Sequence, residues 1–151
     1  MFLVTHAAIA AVLADRIGLG SAAAFAAGWA SHYLADAVPH GDEQAGDWAR
    51  RKNEVRRYAL LAGIDAVILA AALASVFLAG GFDPAILAAA AGATVPDVLW
   101  GVEKTLGRTI FGPHLKFHHR VHNLFGWRLP LWSGLMFQTA LAAFCWYAAA
   151  S

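Results

Sequence analysis

Five apolar stretches divide the chain, at residues 2–17, 22–38, 58–79, 85–102 and 129–150. Ala and larger aliphatic residues dominate each of them. None alternates apolar and polar positions as a strand does, so all five are read as helices. Gly18-Leu19-Gly20-Ser21 joins the first to the second, and Gly80-Gly81-Phe82-Asp83-Pro84 joins the third to the fourth. Pro84 suits a first helical position. Two polar stretches, 40–57 and 103–128, separate the rest. The pattern predicts an all-α fold: a polytopic membrane helical bundle of about five transmembrane helices. Residues 1–151 then form one integral membrane domain.

The second polar stretch has a pattern of its own. A helix over residues 114–125 places Phe117, Val121, Leu124 and Phe125 on one face, with His118 and His122 side by side on the next and His119 beside them. This reads as a His-rich interfacial loop or helix. It either faces lipid headgroups or covers a site and donates ligands to it.

Composition strengthens the membrane reading. The chain is 60% hydrophobic and 14% charged, outside the usual soluble range, with a mean hydropathy of +0.55. A soluble helical bundle is the alternative, because much of the apolar content is Ala. The net charge of +1 says nothing about partners, and no basic tract interleaved with aromatics points to nucleic acid. Cys145 is the lone cysteine, which excludes an internal disulfide. No Lys or Arg precedes the first apolar stretch, so it is expected to remain as the first helix rather than act as a cleaved signal. Every Lys and Arg except Arg16 falls in the two polar stretches. The positive-inside rule then puts those stretches and the N-terminus in the cytoplasm.

The ionisable residues inside the apolar stretches carry the chemistry. His6 lies near the start of the first, His32 and Asp36 in the last two turns of the second, Asp65 in the third and Asp97 after Pro96 in the fourth. His32 and Asp36 are four apart and share a helix face. Pro39 ends that helix, leaving His40 and Asp42 just beyond it. With alternating helix directions, all these groups and every histidine fall in one layer near the inner membrane surface. Charge in a bilayer is costly, about 2.5 kcal/mol or more at the centre, and no Lys or Arg in these spans offsets the carboxylates. A divalent cation does. His6, His32, Asp36, His40, Asp97, His118 and His122 are the candidate ligands for one or two metal ions. Zinc is the first choice for a His/Asp donor set, with manganese or iron as alternatives. Asp65 or Asp42 is the candidate general base. Plainer readings stand beside these: His6 as a packed histidine, His32 and Asp36 as a hydrogen-bonded couple, Asp65 as a helix-packing polar contact, His40 as a solvated loop residue, and Asp97 as a partner for backbone freed by Pro96.

Thr5-His6, the run Ser31-His32-Tyr33-Leu34-Ala35-Asp36-Ala37-Val38-Pro39-His40-Gly41-Asp42, then Val95-Pro96-Asp97 and His119-Arg120-Val121-His122 resemble, in the same order, bacterial membrane-bound metal-dependent hydrolases of the YdjM-like type. The late motif departs from that pattern, which has a wider spacing between its His-Arg and its last His. The resemblance implies a multi-span bacterial inner-membrane protein with a His/Asp metal site. The resulting expectation is a metal-dependent hydrolase at the cytoplasmic face. Arg50, Arg51, Arg56, Arg57 and Lys116 would attract an anionic lipid headgroup, so the expected partner is membrane lipid and the expected substrate a phosphoester-containing lipid. The main rival is a membrane protein that binds or transports metal ions or protons. A b-type haem protein and a small membrane subunit with a relic site are lesser rivals.

Overall fold

A computed structural model describes residues 1–41, 43–50 and 53–151, and the regular structure among them is helical. In chain order the elements are α1 (Leu3–Ile17), α2 (Ser21–Ala37), α3 (Glu43–Ala49), α4 (Glu54–Gly80), α5 (Pro84–Leu106), α6 (Gly112–His122) and α7 (Leu131–Ala150).

Each apolar stretch becomes one helix, and local chemistry sets most of the ends. α1 stops at Gly18, whose φ of 68° is a left-handed conformation that favours glycine. α2 stops at Ala37 because Pro39 disfavours helical geometry at the residue before it; Val38 is extended, with φ −80° and ψ 129°. α5 starts with Pro84, and the Asp83 side chain accepts a hydrogen bond from the Ala85 N–H at 2.7 Å. Polar ends run further than hydropathy alone predicts. α4 begins at Glu54 rather than Tyr58, where a Lys104–Glu54 ion pair of 2.9 Å ties it to α5. α5 continues through Pro96 and past Val102 to Leu106. α3 has no apolar period to betray it. The His-rich helix forms as α6 but ends at His122, so Leu124 and Phe125 lie beyond it.

The five expected spans are where the structure differs most from the sequence reading. Among the described residues two helices, α4 and α5, are long and apolar enough to cross a membrane. α1 and α2 have 15 and 17 residues, about 23 and 26 Å at 1.5 Å per residue, less than the ~30 Å hydrocarbon core. α7 has 20 residues, but Gln138, Trp132, Trp146 and Tyr147 dilute its apolar character.

α1 packs against α2, α4, α5 and α7. The N-terminus of α1 meets α4 and α7 through hydrogen bonds to Asp65 and Gln138. Its far end meets the end of α7, where Arg16 donates to the Ala148 carbonyl at 2.6 Å. α2 and α5 cross so closely that each needs a glycine at the contact. A Cβ on Gly28 would stand 2.1 Å from the Ala89 carbonyl oxygen, and one on Gly92 2.1 Å from the Phe25 carbonyl oxygen. Ala10, Ala14, Ala24, Ala85, Ala89 and Ala93 fill the surrounding core. Small side chains let the backbones approach, and this sets the distance between His32 on α2 and Asp97 on α5.

Gly28→Ala and Gly92→Ala are therefore expected to destabilise the fold, by about 1–3 kcal/mol or more each. Gly63 on α4 has open space at its Cβ position, and Gly63→Ala should be neutral or stabilising by up to ~1 kcal/mol. Thermal unfolding followed by circular dichroism compares the three; equal stability of all three would contradict the close α2–α5 crossing.

Candidate metal centre

The bend after α2 begins the site. His32 and Asp36, one turn apart, both face the bundle interior, and neither side chain is exposed. On α5, Pro96 has no N–H, and its ring presses on the preceding turn. The Ala93 carbonyl of that turn accepts a hydrogen bond from His32 Nδ1 at 2.9 Å. A carbonyl oxygen can only accept, so in the neutral imidazole the His32 proton is on Nδ1 and Nε2 presents a lone pair. That lone pair points at the Asp36 carboxylate, with Nε2 3.1 Å from Oδ2.

α6 lies over this end of the bundle. Glu103, buried at the end of α5, accepts hydrogen bonds from the N–H groups of Ile110 and Phe111 and so fixes the approach to α6. Phe117 packs edge-on against Tyr33 of α2, with centroids 4.8 Å apart. His118 is thereby turned inward: its Nε2 is 3.0 Å from Asp36 Oδ2, 3.2 Å from His32 Nε2 and 3.5 Å from Asp97 Oδ1. Asp97 Oδ1 is 4.0 Å from His32 Nε2.

These distances suit a metal. Four donors at about 2.0–2.1 Å from a tetrahedral ion lie about 3.3 Å from one another. The triangle of His32 Nε2, His118 Nε2 and Asp36 Oδ2 has edges of 3.0, 3.1 and 3.2 Å. Asp97 supplies a fourth corner at slightly longer range, and its side chain, 26% exposed, is the open edge of the group. The chemistry of the donors agrees, since His32 Nε2 and Asp36 Oδ2 face each other and neither carries a proton when the imidazole is neutral. A ligating histidine commonly donates its other N–H to a backbone carbonyl, as His32 does here. His32, Asp36, Asp97 and His118 form one group that could hold a metal ion, and Asp36, His40 and His122 form a second.

The remaining candidates divide. His6 is fully buried and stacks on His32, with ring centroids 4.0 Å apart. Its Nε2 is 3.1 Å from Asp36 Oδ1, out of line for a hydrogen bond, and neither ring nitrogen makes one. His40 is buried too. Its Nδ1 donates to the Val38 carbonyl at 2.7 Å, and its ring packs edge-on against His122 at 4.7 Å. The Met1 nitrogen lies 3.0 Å from Asp36 Oδ1 and 2.7 Å from His40 Nε2. Asp65 does not join either group. Both its oxygens are occupied at the start of α1, accepting from the Leu3 N–H at 2.5 Å and the Val4 N–H at 3.1 Å. It satisfies two of the donors that a helix start leaves open, which is the helix-packing polar contact of the plainer reading. Asp42 lies outside the described residues, as does Arg51.

Three contributors were not foreseen. Gln138, nearly fully buried in α7, accepts from the Phe2 N–H at 2.8 Å and donates to the His40 carbonyl at 2.7 Å. Its signal was available, as a lone amide in a charge-free apolar helix. Gly134 lets the His40–Gly41 turn rest on α7, since a Cβ there would stand 2.3 Å from the His40 carbonyl oxygen. Glu103 had no such signal, because it stands at a helix end among other polar residues. His114, one turn before His118, stacks on it at 5.9 Å. Burial, and then the neighbouring His118 and His32, hold its pKa below the ordinary histidine value. Burial and the nearby His118, Lys104 and Arg50 lower that of His119.

The chain matches no protein-family model, no curated protein and no solved structure.

Asp65→Asn should lower stability by about 1–3 kcal/mol, because an amide cannot accept from both N–H groups at once. Its metal content should equal that of the unmodified protein. Thermal unfolding with elemental analysis of the same samples checks both; loss of metal with unchanged stability would put Asp65 inside the centre. Gln138→Leu leaves the Phe2 N–H and the His40 carbonyl without partners, and a similar destabilisation is expected.

Proposed function

We propose that this protein is a membrane-bound, metal-dependent hydrolase that cleaves a phosphoester of an anionic lipid at one face of the bilayer. The observation that carries the reading is the group of His32, Asp36, Asp97 and His118, drawn from α2, α5 and α6 and buried except at Asp97, with donor spacings that fit one ion.

The membrane part of the reading rests on α4. Only 11% of its most apolar stretch is buried. Leu60, Ile64, Val67, Ile68 and Leu78 are all at least half exposed. The core helix of a soluble protein would hide these side chains, at a gain of roughly 1.5–3 kcal/mol each. Lipid accounts for their exposure. In the fuller proposal all five apolar helices lie within the bilayer, the shorter ones matched by local thinning or by flanking anchors. The location is the bacterial inner membrane, with the N-terminus and the site on the cytoplasmic side. The order of motifs shared with YdjM-like hydrolases supports this assignment.

When bound, a divalent ion, zinc before manganese or iron, supplies Lewis acidity towards a phosphoryl oxygen and lowers the pKa of water. His32 and His118 would hold it through Nε2, and Asp36 and Asp97 would supply negative charge. The exposed edge at Asp97 is the way in for water and substrate. In hydrolysis the water oxygen bonds to phosphorus, the ester P–O bond breaks, and the departing oxygen takes up a proton. Asp42, two residues after His40 in the chain, remains the candidate general base. Arg56 and Lys116 are exposed and free to draw an anionic headgroup to this end. Arg50 is paired with Asp47 and Arg57 lies over the Trp48 ring, so they are less suited to that task.

A transporter would need a polar route onward through the bundle. Beyond the site the packed interior is the alanine cluster around Ala10, Ala14 and Ala89, and this favours a closed catalytic end over a conduit.

Protein purified in mild detergent should contain stoichiometric divalent metal, which a His32→Ala/Asp36→Ala double variant loses. Chelation should abolish phosphate release from lipid phosphoesters, and metal should restore it. Metal-free protein with full thermal stability, or metal flux across liposomes without hydrolysis, would overturn the reading.

A further inference from the structure

The two oxygens of Asp36 face different neighbours. Oδ2 belongs with His32 and His118. Oδ1 points towards His6, 3.1 Å away, and towards His40, 4.0 Å away, with His122 packed beside His40. We infer that Asp36 bridges two cations: one held with His32, Asp97 and His118, the other with His40 and His122. This rests on the metal-centre reading above and extends it to a two-metal centre with a phosphate-ester substrate.

Three features of the second set support the inference. One donor atom each from Asp36, His40 and His122 lies within 4.8 Å of the other two, close enough to share an ion. His40 is oriented as His32 is. Its Nδ1 donates to a backbone carbonyl, that of Val38 at 2.7 Å, which leaves the Nε2 lone pair facing the Asp36 side. Two imidazoles on opposite sides of one carboxylate thus have the same tautomer, set by the same kind of backbone contact.

The rest of the protein also holds His40 in place. Its carbonyl accepts from Gln138 Nε2 at 2.7 Å, and Gly134 is the residue that lets its turn settle on α7. A solvated loop histidine has no need of a buried amide and a glycine cut-out on another helix. The Met1 ammonium now lies 3.0 Å from Asp36 Oδ1 and 2.7 Å from His40 Nε2, and the second ion would take its place.

The pairing has a chemical consequence. Two divalent ions against the carboxylates of Asp36 and Asp97 leave an excess of positive charge. Two-metal sites of this kind bind both the attacking and the leaving oxygen of a phosphoryl group during in-line displacement. A neutral carboxyl ester or amide makes less use of that charge. Within the hydrolase reading, this singles out phosphate esters.

The experiment is metal titration of the full chain in detergent, stripped by chelation and reloaded with Mn²⁺. Elemental analysis gives the stoichiometry, and electron paramagnetic resonance reports coupling between the ions. The expected result is about two ions per chain with an exchange-coupled spectrum. In His40→Ala/His122→Ala one ion should remain, with the spectrum of isolated Mn²⁺. Asp36→Asn should lose the coupling. One ion per chain in the unmodified protein overturns the second site and leaves the single-metal reading intact. No bound ion overturns both. Two ions that persist in His40→Ala/His122→Ala place the second one elsewhere and also overturn the proposal. The unmodified protein decides the matter alone if that variant does not fold, and circular dichroism shows whether it does.

Discussion

A carboxylate with no solvent contact needs compensating positive charge or donors, because desolvation alone costs several kcal/mol. Asp36 is in that position, and much of the architecture serves it. His32 comes from its own helix, His118 from α6, and His6 and the Met1 nitrogen from α1. His40 arrives through the turn that Pro39 enforces. Each of these elements must be seated before the Asp36 environment is complete. The buried polar cluster therefore specifies the arrangement of the helices as much as apolar packing does.

The scaffold meets this requirement with small residues and helix interruptions. Glycines at the α2–α5 crossing and at the α7 contact bring backbones within reach of one another. Pro39 turns the chain so that His40 faces back towards Asp36, while the Ala93 carbonyl of α5 orients His32. Side chains remote from the cluster act through backbone groups: Asp65 on the start of α1, Glu103 on the approach to α6, Gln138 on both the α1 start and the His40 turn. A core built largely of alanine gives little apolar area per residue. The stability of this end accordingly leans on these hydrogen bonds.

The polar cluster sits at one end of the bundle, and the most exposed apolar helix, α4, sits at its side. The open edge at Asp97 belongs to that polar end, and α4 supplies the exposed apolar flank. α6 packs on α2 and α5, turning His118 inward while Lys116, Phe117 and Arg120 stay exposed.

Five helices, most of their ends and the grouping of histidines and aspartates at one end were all legible in the sequence. Hydropathy, proline and glycine act locally, and alternating helix directions fix which ends coincide. The lengths of α1 and α2 match their apolar stretches, but hydropathy did not decide whether helices of 15 and 17 residues cross a bilayer. The roles of individual carboxylates were not legible either. Asp36, Asp65 and Asp97 look alike as aspartates within apolar runs. Only three-dimensional packing separates them: Asp36 meets imidazoles, Asp97 completes their group at its open edge, and Asp65 meets two N–H groups of α1. A side chain's chemistry is written in the sequence, but what it faces depends on contacts between residues 35 to 136 positions apart, and those exist only once the helices have packed.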